Sequence, residues 1–321
     1  MDSAAAGYKK ARLITLYLPQ FHTIPENDEW WGEGFTEWTN TAKARPLFPF
    51  HQQPNLPSDL GFYDLRVPET REKQAALAKQ HGIEGFCFWH YWFGNGKRIL
   101  ERPMNEIISS GKPDIPVCLA WANETWEGTA FGSHGKVLIK QEYPGLDDYE
   151  RHFYAMLDIF KDKRYITVSG KKLFLVYKPC DMPDTHLFID TWRKLAARSG
   201  IGDFYFVCMG KSSVDHRSLG FDGLMIDVFP QIRAGLLDTF WEKASIKKFG
   251  KNYPRQIWKM TGVPVLMDYK KITDKLLDLY QGIGKDVYPS IMPNWDNTPR
   301  CGREGEIFKG ANPVEFKRQL I

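Results

Sequence analysis

The chain has 321 residues, of which 43% are hydrophobic and 26% charged, and its formal net charge is +4. This composition is typical of a globular protein with a sizeable core, and the spread of Lys and Arg along the chain argues against a nucleic-acid tail or a polybasic membrane patch. No apolar stretch approaches the length of about 18 residues that a membrane-spanning helix needs.

The cysteines and the first residues predict the cellular location. The five cysteines are scattered, with no CxxC pair and no zinc-type spacing, which is typical of a reducing compartment. The opening stretch MDSAAAGYKK has no apolar segment, so no secretory leader is predicted. We expect a cytoplasmic protein with a flexible N-terminus over residues 1–10 and a single domain over 11–321.

Short apolar runs alternate with helical patterns along the chain, the order expected of βα units. Residues 263–269 form one further apolar run, either an extra strand or part of an insertion. The other predicted strands cover residues 13–18, 85–93, 117–121, 173–177, 204–209, 223–229 and 288–295. The predicted helices cover residues 68–82, 147–160, 186–200 and 271–282.

The predicted strands are apolar on both faces, which indicates a parallel sheet covered by helices. Seven such strands predict an α/β fold of the (β/α)₈ TIM-barrel type that lacks, or is truncated before, its eighth strand. A doubly wound open sheet is the alternative, although no GxGxxG follows the first strand.

A long loop, residues 19–67, follows the first predicted strand with little helical periodicity but many aromatic residues. Loops of this length inside a compact domain are usually functional. We expect an ordered lid or wall at the carboxyl ends of the strands, in which Trp30, Trp31 and Trp38 serve packing rather than ligand binding.

Polar and aromatic side chains follow nearly every predicted strand, at the point where the strand ends. In a barrel the carboxyl ends of the strands meet at one face, so these side chains should line one pocket. Flat aromatic faces combined with amides, imidazoles and carboxylates suit a sugar ring, so the predicted ligand is a glycan. The predicted substrate-binding residues are Tyr17, Gln20, His22, His90, Tyr91, Trp121, Asn123, Trp126, Tyr177, Trp295 and Asn297. Other polar residues near strand ends are Lys178, Asp227 and Arg300.

Glu124 and Asp296 are the predicted catalytic residues. Glu124 stands between two tryptophans in the stretch VCLAWANETW, residues 117–126. Indoles on both sides favour burial, and burial raises the pKa of a carboxyl group so that it can act as a general acid. Glu124 could instead be a surface carboxylate, and Asp296 a turn residue or helix cap.

His22 and His90 could each be a core histidine with its hydrogen bonds satisfied, instead of a sugar-binding residue. Other chemistries fit poorly: the sequence has no HExxH, no GxSxG, no complete P-loop and no Asp-x-Asp triplet. We therefore predict no cofactor and no bound metal.

Five stretches of the sequence are long or distinctive enough to compare with known families: YLPQFHTIPENDEWWGEGFTEWTN, HQQPNLPSDLGFYDLR, GIEGFCFWHYWF, WANETW and NWDNTPR. They resemble the WbsX family, and the resemblance runs from about residue 11 to the end. That family is similar to the family 99 glycoside hydrolases, the endo-α-mannanases and endomannosidases, which are (β/α)₈ barrels.

The resemblance implies a carbohydrate-active enzyme. Its fold relationship implies a retaining glycoside hydrolase with carboxylate acid/base catalysis, whereas the family label implies a glycosyltransferase in polysaccharide or lipopolysaccharide biosynthesis. In the hydrolase relatives the implied catalytic groups are two glutamates, three apart, near the end of the chain. One deprotonates the sugar 2-hydroxyl to give a 1,2-anhydro intermediate, and the other is general acid and then base.

The WbsX counterpart of that pair is a WNEWxEG-like motif, which this sequence does not contain. The gap favours a third alternative, a non-catalytic glycan-binding protein. An open barrel would also expose two sheet edges. We expect a second copy, or a C-terminal segment, to cover them.

Overall fold

The computed structural model describes residues 11–128, 136–236 and 253–320. The predicted flexible N-terminus, residues 1–10, lies outside these ranges. The strands are β1 (Ile14–Tyr17), β2 (Gly85–Trp92), β3 (Arg98–Ile99), β4 (Val117–Trp121), β5 (Trp126–Glu127), β6 (Val137–Ile139), β7 (Thr167–Val168), β8 (Lys171–Val176), β9 (Phe204–Gly210), β10 (Gly223–Ile226), β11 (Val265–Asp268), β12 (Val287–Tyr288) and β13 (Glu306–Lys309).

The described helices include the four that the sequence predicts, with ends that differ by a few residues. They are α1 (Pro25–Trp31), α2 (Glu37–Lys43), α3 (Pro68–Gln80), α4 (Arg102–Ser110), α5 (Leu146–Lys161), α6 (Thr185–Arg198), α7 (Val228–Leu236), α8 (Tyr253–Thr261), α9 (Tyr269–Tyr280), α10 (Thr298–Cys301) and α11 (Pro313–Arg318). Within the described ranges, none of them is long and apolar enough to cross a membrane.

Seven parallel strands form a curled sheet, an incomplete barrel, in the order β1-β2-β4-β8-β9-β10-β12. The spatial order follows the chain order without reversal, which is the winding of a barrel and not of a doubly wound sheet. Among the described residues, β1 and β12 are the outer strands and do not pair with each other. The predicted barrel without an eighth strand is therefore confirmed.

The last strand of this sheet is shorter than the sequence predicts. Only Val287 and Tyr288 pair with β10, whereas the predicted run extends to residue 295. Pro289 and Pro293 lie in this run, and proline has no N–H to donate to a strand ladder. The rest of the run forms irregular backbone.

Residues 263–269 belong to a separate element, not to the barrel. Strand β11 pairs in parallel with β13 in a sheet of two strands. Val265, Met267 and Phe308 lie in a second cluster of buried side chains there. The run therefore forms part of an insertion beside the barrel.

The main core lies between the outer face of the barrel sheet and helices α5 and α6. Trp192 of α6 is fully buried, and its ring centroid lies 4.7 Å from those of Phe174 and Phe188. Its indole N–H donates to the Tyr149 carbonyl at 3.0 Å. Buried apolar area of this kind stabilises the fold by about 25 cal/mol per Å².

The loop over residues 19–67 is ordered and contains two helices that the sequence does not predict. Thr36 begins α2 with a capping box, in which its side chain accepts a hydrogen bond from a first-turn N–H. Trp38 packs against Phe21 and Tyr63, with ring centroids 4.8 and 5.0 Å away. Its indole donates to the Tyr63 carbonyl at 2.8 Å, so Trp38 holds the loop together, as expected.

Candidate functional site

Successive side chains of β2 point to opposite faces of the sheet. His90 and Trp92 face the helix layer, where both rings contact His152 of α5. Trp89 and Tyr91 face the concave side of the barrel, where the Trp89 ring lies 5.4 Å from the ring of Tyr177. The concave face therefore presents every second residue of the strand.

One side of the concave face is formed by residues that follow β1 and β2. The Gln20 amide lies 3.4 Å from the Tyr91 hydroxyl, a long hydrogen bond. Burial raises the pKa of Tyr91, and the negative charges of Glu124 and Glu37 act in the same direction. Tyr91 is therefore neutral at physiological pH and can both donate and accept a hydrogen bond.

The other side is formed by the ends of β8 and β10. Burial raises the pKa of Tyr177, and the charges of Glu124 and Asp227 add to this effect. The Lys178 ammonium lies 4.0 Å from the centre of the Tyr177 ring. Glu124 follows β4, which lies between β2 and β8 in the sheet, and its charge raises the pKa of both tyrosines.

The two tryptophans around Glu124 do not enclose its carboxylate. Trp121 is fully buried on the helix side, where its indole donates to the Trp92 carbonyl at 2.9 Å. Trp126 packs on Tyr91 at 5.1 Å, while Glu124 is only half-buried. The sequence predicts Trp121 as a sugar contact, but its place in the strand alternation turns it away from the cleft.

Asn123 is fully buried and uses its amide within the protein. Its side chain donates to the Lys178 carbonyl and accepts from the Lys178 N–H, both at 2.8 Å. It also donates to the Tyr143 hydroxyl at 2.9 Å. These hydrogen bonds tie the end of β4 to the end of β8 and occupy the Asn123 amide within the protein.

Tyr17 and His90 also lie on the helix side of their strands. The Tyr17 hydroxyl donates to the Gln74 side chain of α3 at 2.6 Å. The nearest ring nitrogens of His90 and His152 are 2.7 Å apart. Burial lowers the pKa of His90 to about 3, so this pair is neutral at pH 7. Each stands one residue out of phase with the concave face, so the structure does not bring Tyr17 or His90 together with Trp89 and Tyr177.

His22 lies in the loop that follows β1 and is fully buried. Burial lowers the pKa of its ring, and the negative charge of Asp64 acts in the opposite direction. Neither ring nitrogen of His22 has a partner at hydrogen-bond distance among the described residues. His22 is therefore not the satisfied core histidine of the plainer expectation, and its role as a sugar contact stays a prediction.

Asp296 lies beside the insertion and holds the loop after β1. Its Oδ2 accepts from the Gln53 amide at 2.6 Å and lies 2.9 Å from the His51 ring. Its Oδ1 accepts from the Thr298 N–H and hydroxyl at 2.9 and 2.6 Å. With both oxygens bonded, the structure gives Asp296 an anchoring position, and the alternative of a turn or cap residue describes it better than proton transfer.

The residues next to Asp296 in the sequence also contact the insertion. The Trp295 ring packs on Phe229 at 4.6 Å. Asn297 accepts from the Glu306 N–H at 2.7 Å and so fixes the start of β13. A salt bridge of 2.6 Å between Arg300 and Glu37 of α2 completes the contact with the loop.

Several site residues are absent from the set that the sequence predicts. The sequence does not predict Trp89 as a site residue, because the stretch GFCFWHYWF is apolar on both faces. The contact of its ring with the ring of Tyr177 shows that the side chain faces the concave side. Lys178 and Asp227 follow strand ends, a signal that the sequence carries, but their shared influence on Tyr177 requires the fold. No group of three His, Cys, Asp or Glu side chains that could hold a metal ion occurs in the described ranges.

Known proteins place the chain in a family. The sequence model of the family "Glycosyltransferase WbsX" matches residues 13–321. Two relatives named uncharacterized protein WxcX, from two strains of Xanthomonas campestris pv. campestris, are each 35% identical over 97% of this chain. The chain spans 42% of the length of these relatives.

Two solved structures resemble the fold. A GH99 endo-alpha-mannosidase from Bacteroides thetaiotaomicron, in complex with BIS-TRIS-propane, gives a TM-score of 0.50 at 15% identity, over 96% of this chain and 78% of that one. A glycoside hydrolase-like protein gives a TM-score of 0.51 at 12% identity, over 89% of this chain and 84% of that one. At such low identity, the structural likeness shows a shared fold alone. The family follows from the sequence match: the chain belongs to the glycosyltransferase WbsX family.

Proposed function

We propose that this chain is a glycan-processing enzyme of the retaining glycoside hydrolase type, with its active site on the concave face at the carboxyl ends of the strands. One observation carries the proposal: Glu124 follows β4, which lies between β2 with Tyr91 and β8 with Tyr177 at its end, and the rings of Trp89 and Tyr177 meet at 5.4 Å on the concave face. A sugar ring in this cleft would meet a carboxylate, two phenols and the indole of Trp89 together.

Each group has a role in this proposal. Glu124 donates its proton to the departing glycosidic oxygen and then accepts a proton from the attacking water, and Trp89 supplies the apolar surface beneath the ring. Gln20, Tyr91 and Tyr177 bind ring hydroxyls. Trp126 packs against the ring of Tyr91 and holds it in position.

A retaining reaction uses two carboxyl groups that flank the scissile bond. Asp227 supports this role, since its charge acts together with that of Glu124 on Tyr177 and Lys178. We assign the second carboxylate to Asp227 in place of Asp296.

The proposal is tested by incubating the protein with α-mannan, capsular and O-antigen oligosaccharides and measuring new reducing ends. Glu124→Gln should lose at least about 100-fold in turnover, the contribution of a positioned general acid. Glu127→Gln is the matched control, because Glu127 is exposed three residues further along. Unchanged turnover in Glu124→Gln contradicts the assignment, and saturable binding without product identifies a glycan-binding protein instead.

A glycosyltransferase is the second candidate, favoured by the description of the family that matches the chain. It requires a sugar donor carried on a nucleotide or a lipid. Titration calorimetry with common sugar nucleotides separates the two functions, because a hydrolase should give no binding heat with any donor.

The outer strands β1 and β12 have no second neighbour among the described residues. We propose that a second copy of the chain covers these edges in the cytoplasm, the compartment we infer for the protein. Light scattering should then give the mass of a dimer. If the protein stays monomeric at every concentration tested, the result favours coverage by a C-terminal segment instead.

A further inference from the structure

A second concave surface lies on the rim of the barrel, outside the proposed cleft. It is an open groove of about 430 Å³, within the range of about 300–1,000 Å³ that ligand sites usually occupy. We call it the rim groove, and its lining consists of Asn95, residues 140–144 and Pro183. These residues lie in the connections that follow barrel strands β2, β4 and β8. The rim groove is therefore at the same end of the strands as the cleft.

The backbone around the rim groove is held in place by hydrogen bonds and close packing. The Glu142 N–H donates to the Phe93 carbonyl at 3.0 Å, and the Gln141 N–H donates to the Thr125 hydroxyl at 3.0 Å. Gly94 has a φ of +90°, and a Cβ atom there would lie 2.8 Å from the Glu142 carbonyl oxygen. Only glycine permits this approach, so the groove is a preformed feature of the rim.

Gln141 has hydrogen-bonding capacity that the rest of the protein does not use. The residue is only 8% exposed, and its side-chain N–H donates to the Glu142 carbonyl at 3.0 Å. Its Oε1 has no hydrogen-bond partner among the described residues. A buried oxygen without a partner is costly and uncommon. A ligand that brings a hydroxyl donor to this side of the groove would therefore form a bond that the protein itself does not supply.

The chemistry of the lining favours a neutral ligand that is rich in hydroxyl groups. The Lys140 ammonium lies 3.6 Å from the Glu142 carboxylate, so the two charges offset each other. The Asn95 amide donates to the other oxygen of that carboxylate at 3.1 Å. Two proline rings and the half-buried ring of Tyr143 add apolar surface. Amides beside apolar rings suit the polar edge and the apolar face of a sugar.

A short series of contacts joins the rim groove to the proposed cleft. The Tyr143 hydroxyl accepts from the Asn123 amide at 2.9 Å and donates to the Asn123 carbonyl at 3.2 Å. Asn123 in turn binds the main chain of Lys178, the residue after Tyr177. The two sites are thus neighbours on one rim, and the buried Asn123 separates them.

We propose that the rim groove is a second glycan-binding site, which takes neutral sugar units of a long glycan and uses Gln141 as its main polar contact. The importance of this site for turnover rests on the proposed function, because only then does another part of the same glycan occupy the cleft. Binding in the groove itself does not depend on cleavage. A glycan that reaches both sites should bind more tightly than a disaccharide, because its second contact is intramolecular.

The test is an NMR titration of the whole chain with the α-mannan, capsular and O-antigen glycans, each as a disaccharide and as a long oligosaccharide. The side-chain amide signals of Gln141 and Asn95 report on the rim groove, and the indole N–H signal of Trp89 reports on the cleft. We expect at least one long oligosaccharide to shift both amide signals saturably. If no glycan of the panel shifts either amide signal, the inference is overturned.

Two variants measure what the groove contributes to affinity. Gln141→Met removes the amide and keeps the length of the side chain, so binding of the long oligosaccharide should weaken about tenfold. Asn95→Gly should also weaken binding, and it folds without strain because Asn95 has a φ of +51°. Gln80→Met is the matched control, since Gln80 is exposed at the end of α3, at the amino ends of the strands. Should Gln141→Met fail to fold, Asn95→Gly decides, and unchanged affinity in the folded variants overturns the inference.

The two sets of signals separate this inference from the proposed function. A shift of the Gln141 signal without a shift of the Trp89 signal supports the rim groove and contradicts the proposed cleft. A shift of the Trp89 signal alone overturns the inference while the proposed function stands. In Trp89→Ala, saturating glycan should still shift the Gln141 signal. Loss of that shift would mean that the groove responds only indirectly, through Asn123, to binding in the cleft, and would also overturn the inference.

Discussion

The two faces of the same strands differ in chemistry. On the helix side, His90 and Trp121 are buried and bonded to protein partners. On the concave side, Trp89 and Tyr177 remain half-buried. A polar or aromatic residue near a strand end therefore indicates a site only when its phase in the strand turns it toward the cleft.

Trp121→Ala should produce the largest loss of stability and thereby test the assignment of the helix side. The indole is fully buried, so its removal leaves a cavity and should lower the free energy of unfolding by about 3–5 kcal/mol. Urea denaturation measures this loss. A change below about 1 kcal/mol would mean that Trp121 is not in the core.

The His90–His152 pair predicts how stability depends on pH. Burial lowers the pKa of folded His90 to about 3, whereas an unfolded histidine titrates near 6.5. Between these values the unfolded state binds more protons, so stability is complete above about pH 6.5 and falls as the pH decreases. From pH 7 to 5 we expect a loss of about 2 kcal/mol for this group.

His90→Gln, which cannot be protonated, should flatten that slope, measured as unfolding free energy at several pH values. His81→Gln is the control, because His81 is exposed and should leave the slope unchanged. An equal slope in wild type and His90→Gln contradicts the neutral buried pair.

Asp296→Asn distinguishes anchoring from catalysis. The change removes the negative charge that interacts with the side chains of Gln53 and His51. We expect the free energy of unfolding to fall by about 1–2 kcal/mol. Hydrogen exchange should rise in residues 45–55, while any glycan turnover should fall far less than in Glu124→Gln. Equal losses of turnover in the two variants would restore Asp296 as a catalytic residue.

Trp89→Ala should give the smallest effect, and on binding rather than on folding. Loss of the half-buried indole should weaken glycan affinity about tenfold, or about 1.4 kcal/mol, in calorimetric titrations. A smaller effect on stability than Trp121→Ala would show that the two tryptophans belong to opposite faces.

The sequence predicts the barrel well because its signals are local. Apolar runs mark the seven strands, and Asp184 at the start of α6, whose side chain accepts from the Leu187 N–H at 2.9 Å, shows how local chemistry sets a helix end. The sequence also predicts, from strand ends alone, that Glu124 and Tyr91 lie on neighbouring strands.

Other features of the site depend on information that is not local. In GFCFWHYWF both faces are apolar, so the sequence does not reveal whether His90 or Tyr91 faces the cleft. The contact of Asp296 with His51 joins residues 245 apart in the chain, and no periodicity encodes it. The sequence predicts Asn123 as a sugar-binding amide, whereas in the structure its side chain forms hydrogen bonds with the main chain of Lys178.

A crystal structure of Glu124→Gln soaked with an α-mannan oligosaccharide, or with any glycan that the panel shows to bind, tests the central claim most directly. The account predicts a sugar ring against Trp89, with hydroxyls bonded to Tyr91 and Tyr177 and residue 124 facing a glycosidic oxygen. A glycan bound elsewhere on the molecule, with the concave face empty, would contradict it.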